Sequence, residues 1–270
     1  MRALSIGVLA AICAAFCSAM VVPAARPAAQ EQSASLANDP KLIEDLVYAN
    51  RILYQQEVLD GFGHVSVRSD KDPNHFLMSR SIAPALVTAN DIMEFDRNGE
   101  PVDARGRNGY VERYIHAAIY RVRPDVKAIV HSHSPDIIPY SVTGTALRPV
   151  YHVSAFLRLG APIFDTQEGF GDTDMLIRDN KLGDGLAKVL GHSGIALIRG
   201  HGFVAVAEST PVVVYRAIYT QLNARVQAEG MKLGTIKYLT PGEAVKAQAI
   251  TEGTVGRPWE LWKSQVGKIQ

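Results

Sequence analysis

The chain has 270 residues, 47% of them hydrophobic and 20% charged, with a formal net charge of +1. That balance suits one globular domain of roughly 200–250 residues, and it excludes any electrostatic case for binding nucleic acid or an anionic membrane surface. Both cysteines, Cys13 and Cys17, lie near the N-terminus. A chain processed beyond them has neither a disulfide nor a thiolate, and any metal site must be built from His, Asp or Glu.

The first segment, MRALSIGVLAAICAAFCSAMVVPAARPAAQ, has a basic Arg2, a long uncharged apolar run and a Pro/Ala-rich end. It reads as a secretory signal peptide over residues 1–29, with cleavage after Ala24 or Ala29, and so implies a periplasmic or secreted protein. The alternative is an uncleaved anchor, since Ala3 to Val22 is about long enough to span a bilayer. Residues 30–40 are small and polar, a flexible leader, and one domain is expected over 41–265.

From Lys41, apolar Leu42, Leu46, Ala49 and Leu53 mark a helix that DGFG ends. HVSVRS alternates as a strand does, KDPN is a turn, and HFLMS is a second strand. In VTANDIMEFD, Thr88 and Asp91 have capping-box spacing, so a helical turn and then a strand are expected. RNGEPVDARGRNG reads as a loop. YVERYIHAAIYRVRPDV is helical, with Ile115, Ile119 and Val122 as its apolar stripe and Pro124 after its end. KAIVHSHS is a strand. Residues 150–170 carry no clear period. LGDGLAKVLGH is helical, and GIALIRGHGFVAVAE reads as two short strands around a glycine-rich turn. TPVVVYRAIYTQLNARVQAEG is a long helix, with Thr210 as N-cap, Pro211 at its first position and Gly230 after its end. Alternating strands and helices place the chain in the α/β class.

The chemistry gathers on histidines. In VKAIVHSHSP, His131 and His133 are two apart on a strand, so both imidazoles point to one side and can reach one ion. His201, in IRGHGF, is flanked by glycines that permit a sharp turn into a cleft. Three neutral imidazoles leave open positions on a divalent ion, as a catalytic metal site requires. Glu112, one helix earlier, is a candidate general acid/base or extra ligand. Each signal alone is also what a solvated strand end, a plain turn or a surface helix charge would give.

Taken together, ERYIHAAIYRVRPDVKAIVHSHS, the later GHG at 200–202, GHVSVR at 63–68 and LVTANDIMEFD at 86–96 resemble the class II aldolase/adducin family over about residues 41–230. The resemblance implies a three-layer α/β/α fold around a largely antiparallel sheet, assembled as a homotetramer with sites near subunit interfaces. It implies that His131, His133 and His201 ligate one divalent metal per chain, zinc or alternatively manganese, with Glu112 as acid/base. It further implies a Lewis-acid metal stabilising the electrons left when a carbon–carbon bond breaks. Imidazole ligands also admit iron and oxygen chemistry.

Two departures bear on the substrate. His64 stands where sugar-phosphate aldolases carry Asn, and SRSIAP, with Ser79, Arg80 and Ser81, stands where they offer small residues to a phosphate. An arginine fork suits a planar carboxylate. GHVSVR, with His64 and Ser66, together with SRS resembles the decarboxylase branch, which acts on hydroxylated aromatic or sugar-derived acids. The expected partner is therefore a small-molecule carboxylate, held by His64, Ser66, Ser79, Arg80 and Ser81. His152, or its neighbour Tyr151, falls near the spacing of the aldolases' proton-donating tyrosine, and His152 is expected to line the pocket. The expected function is a metal-dependent carbon–carbon lyase, a decarboxylase before an aldolase. Adducin-type members that bind without catalysis are the rival class.

Overall fold

The structure, a computed structural model, describes Met1 and residues 38–269. The segment expected as a signal peptide and most of the expected leader lie outside the described residues. A seven-stranded sheet runs in the order β3-β2-β1-β4-β7-β6-β5, with β1 His64–Arg68, β2 Phe76–Ser79, β3 Ile92–Phe95, β4 Ala128–Ser132, β5 Ile163–Phe164, β6 Ile195–Ile198 and β7 Gly202–Ala207. Every neighbouring pair is antiparallel except β5–β6.

The helices are α1 Pro40–Gln55, α2 Arg113–Val122, α3 Ile138–Val142, α4 Gln167–Phe170, α5 Asn180–Leu190, α6 Thr210–Leu233, α7 Pro241–Gly253 and α8 Gly256–Val266. The sheet separates two apolar cores. On one side Val65, Val67, Ala128, Val130, Phe203 and Ala205 meet α1, α6 and α8. On the other, Phe76, Met78, Ile129, Val204 and Val206 meet α2 and α5. The result is the expected three-layer α/β/α domain.

The side-chain alternation of β1 explains an unusual burial. Val65 and Val67 enter the first core, so His64, Ser66 and Arg68 face the second, and all five residues are buried. Arg68 is accommodated there by carbonyls. Its Nε donates to Val126 O at 3.0 Å, Nη1 to Pro73 O at 2.5 Å, and Nη2 to Tyr120 O and Arg123 O at 3.0 and 2.9 Å. Two of those carbonyls close the last turn of α2, where helical partners run out.

Local expectations are adjusted in several places. Helix α1 begins at Pro40, one residue before the expected start, because Asp39 caps it, accepting from Lys41 N. In α2, Val122 is 57% exposed, so the buried stripe is Ile115 and Ile119 with Ala118. Ser209 is the residue before α6, and Gly230 lies inside that helix. Residues 150–170 hold a 3-10 helix, His152–Leu159, followed by β5 and α4. Among the described residues, no helix is long and apolar enough to cross a membrane.

Candidate metal centre

Strand β4 sends Ala128 and Val130 to one core and Ile129 to the other, so His131 follows Ile129 toward α2. His133, just past the strand end, continues on that side. The β6–β7 turn brings His201 to the same point, because β7 pairs with β4 in a register that sets Phe203 opposite Ser132. Gly202 makes this approach possible: a Cβ there would collide with the Ser132 carbonyl oxygen. Glu112 enters from the residue preceding α2.

The four groups offer ligand atoms that all lie within 4.8 Å of one another. His133 Nε2 is 3.0 Å from His131 Nε2 and 3.0 Å from His201 Nε2. Glu112 Oε2 lies 3.4, 3.9 and 3.5 Å from the Nε2 atoms of His131, His133 and His201. Its other oxygen, Oε1, accepts the Ile177 N–H at 2.9 Å. His131 Nδ1 is 3.1 Å from Phe203 O and His201 Nδ1 is 2.9 Å from Met175 O. A carbonyl only accepts, so both Nδ1 atoms carry the proton and both Nε2 atoms present lone pairs. His133 has no carbonyl fixing its tautomer, so its Nε2 can donate to one of those lone pairs or present a third. With all three presented, a divalent cation satisfies the set.

Burial tends to raise the Glu112 pKa, but in the ion-free cluster the protonated forms of His131 and His201 outweigh it through charge and hydrogen bonds and hold the carboxyl far below the usual range. Burial, followed by the neighbouring imidazoles, pushes His133 down to about 3. Ionised Glu112 and neutral His133 are in the states a metal ligand needs, whereas at His201 burial is outweighed by Glu112 and the pKa is raised, so an ion bound there displaces a proton.

Above the cluster opens a cavity of about 430 Å³. Its polar wall includes His64, Ser81, Tyr110 and Glu112, and its apolar wall Phe62, Ile82, Val111 and Leu176. Phe62 is 69% exposed at the mouth, its ring 6.2 Å from that of His133.

His64 and Ser81 thus line the cavity as expected, while the other expected substrate residues are placed elsewhere. Arg80 is turned to Asp91, with Nε donating to Oδ1 at 2.6 Å, because Asp91 is held beside it by its own bonds to Thr88. Ser66 is fully buried beneath α2, on the far side of His64 from the cavity. Ser79 is buried behind Tyr110, at 3.3 Å from its hydroxyl. His152 is exposed and lines a separate groove with Tyr215 and Tyr219, since the 3-10 helix it begins packs on α6 and α7 rather than on the histidines. Sequence reasoning missed Tyr110, Phe62 and Leu176, which sit in loops where no periodic pattern marks a wall.

Comparison with known proteins follows the same lines. The family described as Class II Aldolase and Adducin N-terminal domain matches residues 44–228. The chain belongs to this family. A decarboxylase, tropJ, of Talaromyces stipitatus is 38% identical over 239 residues, covering 80% of this chain and 90% of that protein. A 3,4-dihydroxyphthalate decarboxylase of Arthrobacter keyseri is 30% identical over 192 residues, covering 65% of this chain and 73% of that one. An aldolase II superfamily protein from Pseudomonas syringae superposes with a TM-score of 0.71 at 20% identity, over 87% of this chain and 96% of that one, which establishes the shared fold. Membership of the class II aldolase family and a Glu/His3 cluster able to hold an ion together point to a lyase-type site for a divalent metal.

Proposed function

We propose that this protein is a metal-dependent decarboxylase of a hydroxylated carboxylic acid, with an aromatic acid as the preferred class. The observation that carries this is the convergence of His131, His133, His201 and Glu112 beneath an apolar-walled cavity. Two relatives whose names are decarboxylases support the choice of reaction. The apolar lining of Phe62, Ile82, Val111 and Leu176 supports the aromatic class, because a polyhydroxylated sugar phosphate would leave those side chains uncompensated.

A divalent ion held by the three imidazoles, zinc or manganese, would supply Lewis acidity toward the electrons released from the carbon–carbon bond. The chain's residues do the rest. His64 and Ser81 hold polar atoms of the substrate, and the apolar wall excludes water from the reacting carbon. The bond to the carboxyl group breaks, its electron pair stays on the substrate carbon, and carbon dioxide leaves. Glu112, anchored through Oε1 by the Ile177 N–H, directs Oε2 at this space and relays the proton that the carbon takes up.

Metal analysis of purified protein, followed by carbon dioxide release from a panel of dihydroxybenzoic and dihydroxyphthalic acids, tests the proposal. About one divalent ion per chain and stoichiometric carbon dioxide are expected. Retro-aldol products without carbon dioxide would make it an aldolase instead. Neither product from metal-loaded protein would favour an adducin-like binding role. We infer as well, from the apolar N-terminal segment and the family, that the chain is exported and acts as a homotetramer. N-terminal sequencing of the mature protein and its mass in solution test those two points.

A further inference from the structure

His64 does not stand alone at the cavity wall. Its Nδ1 is 2.7 Å from His116 Nε2, His116 Nδ1 is 2.6 Å from Ser66 Oγ, and Ser66 Oγ is 2.9 Å from the Tyr120 hydroxyl. His116 and Ser66 are fully buried, and Tyr120 and His64 are nearly so. Ser66 Oγ has only His116 and Tyr120 as partners, so if its own buried proton is to be used, the whole series runs in one of two directions. If it runs outward, Tyr120 donates to Ser66, Ser66 to His116 Nδ1, and His116 Nε2–H to His64 Nδ1. His64 then carries its proton on Nε2. If it runs inward, every proton is reversed and His64 Nε2 is bare.

The inner end decides between them. Run inward, the Tyr120 proton must go to Lys127 O at 3.5 Å, beyond the ordinary length of such a bond. That carbonyl already accepts the Arg68 N–H at 2.8 Å. Run outward, the same proton goes to Ser66 Oγ at 2.9 Å and every step is short. An unsatisfied buried hydroxyl is costly, so the outward direction is the stable one.

We propose that Tyr120, Ser66 and His116 are positioning residues that fix His64 as the Nε2–H tautomer, so that the cavity wall presents a hydrogen-bond donor. A donor at that position suits an anionic or phenolic oxygen of the substrate and disfavours a second donor such as an ammonium group. The use of this donor in turnover rests on the proposed decarboxylase function, but the tautomer itself does not.

The test is two-bond 1H–15N correlation on zinc-loaded protein carrying 15N-histidine, which distinguishes a protonated ring nitrogen from a bare one. His64 and His116 are both expected to be protonated at Nε2 and bare at Nδ1. In His116→Phe the His64 proton is expected to redistribute between its nitrogens, whereas His116→Gln, whose amide can donate from the same place, retains it on Nε2. Tyr120→Phe, which preserves packing, keeps the readout available if His116→Phe fails to fold, and is expected to give a mixed His64 tautomer. A wild-type His64 protonated at Nδ1, or a tautomer indifferent to His116→Phe and Tyr120→Phe, would overturn the proposal. For turnover, kcat/KM is expected to fall roughly tenfold in His116→Phe and to recover in His116→Gln with metal content unchanged.

Discussion

At the scale of single residues, His133 and Glu112 separate two roles that their proximity blurs. His133 Nε2 is within 3.0 Å of both other imidazole nitrogens, so it sits between them. His133→Ala is expected to lower metal content from about one ion per chain to near zero and to abolish turnover, as metal analysis and an activity assay will show. Glu112 lies a little farther from each imidazole and has one oxygen committed to Ile177 N. Glu112→Gln is expected to retain the metal and lose turnover by at least about a hundredfold, the scale of a lost acid/base group. A metal-free Glu112→Gln would make the carboxylate a ligand. Acid should act on the same residues. His133 is depressed to about 3 in the fold, against about 6.5 for a free imidazole. Between those values the unfolded chain binds the extra proton, so stability from this group is complete above about pH 6.5 and is lost as pH falls toward 3. A melting temperature and metal occupancy that both decline between pH 7 and 5 are the expected result.

At the scale of elements, the site depends on strands being delivered at fixed separation. Gly202→Ala is expected to lower stability and weaken metal binding together, since its Cβ would push β7 from the Ser132 carbonyl and carry His201 with it. Thermal melts with metal titration check it. Arg68→Met is a different case: it leaves the carbonyls of Pro73, Tyr120 and Val126 without their donor, Arg123 O keeping the Val126 N–H, and about 3 kcal/mol of stability is expected to go, measurable by denaturant unfolding. These two residues also show what the sequence made legible. The two-residue spacing of His131 and His133, the glycines around His201 and the periodic stripe of α2 all follow from backbone geometry, so the site was readable. Arg80 was not, because its partner Asp91 reaches it only through a capping turn whose side-chain direction no spacing reveals. His116 lay in view at i+4 from Glu112, yet its bond to His64 needs the β1–β4 register that pairs His64 with His131. Helix α7 carries a start signal in Thr240, Pro241 and Glu243, but Ala244 is its one buried residue, so no apolar stripe announces it.

At the scale of the whole domain, the sheet divides stability from chemistry. Trp259 and Trp262 on α8 are 4% and 6% exposed and belong to the core shared with α1 and α6. That helix lies beyond the family match, which ends at residue 228. The metal cluster faces the other core, under α2, so the sheet stands between the two tryptophans and the histidines. Truncating Trp259 to Ala removes a large buried ring and is expected to cost about 3–5 kcal/mol. Because β4 and β7 keep their pairing, the folded fraction of Trp259→Ala should still bind about one ion per chain with affinity unchanged within about threefold, the separation expected of distant sites. His133→Ala should do the reverse, losing the ion while the metal-free unfolding free energy moves little. Denaturant unfolding with and without chelator, run on both variants, reads the four values required. A Trp259→Ala protein that folds fully yet loses metal would show that the two cores are coupled through the sheet, and that α8 sustains the site as well as the fold.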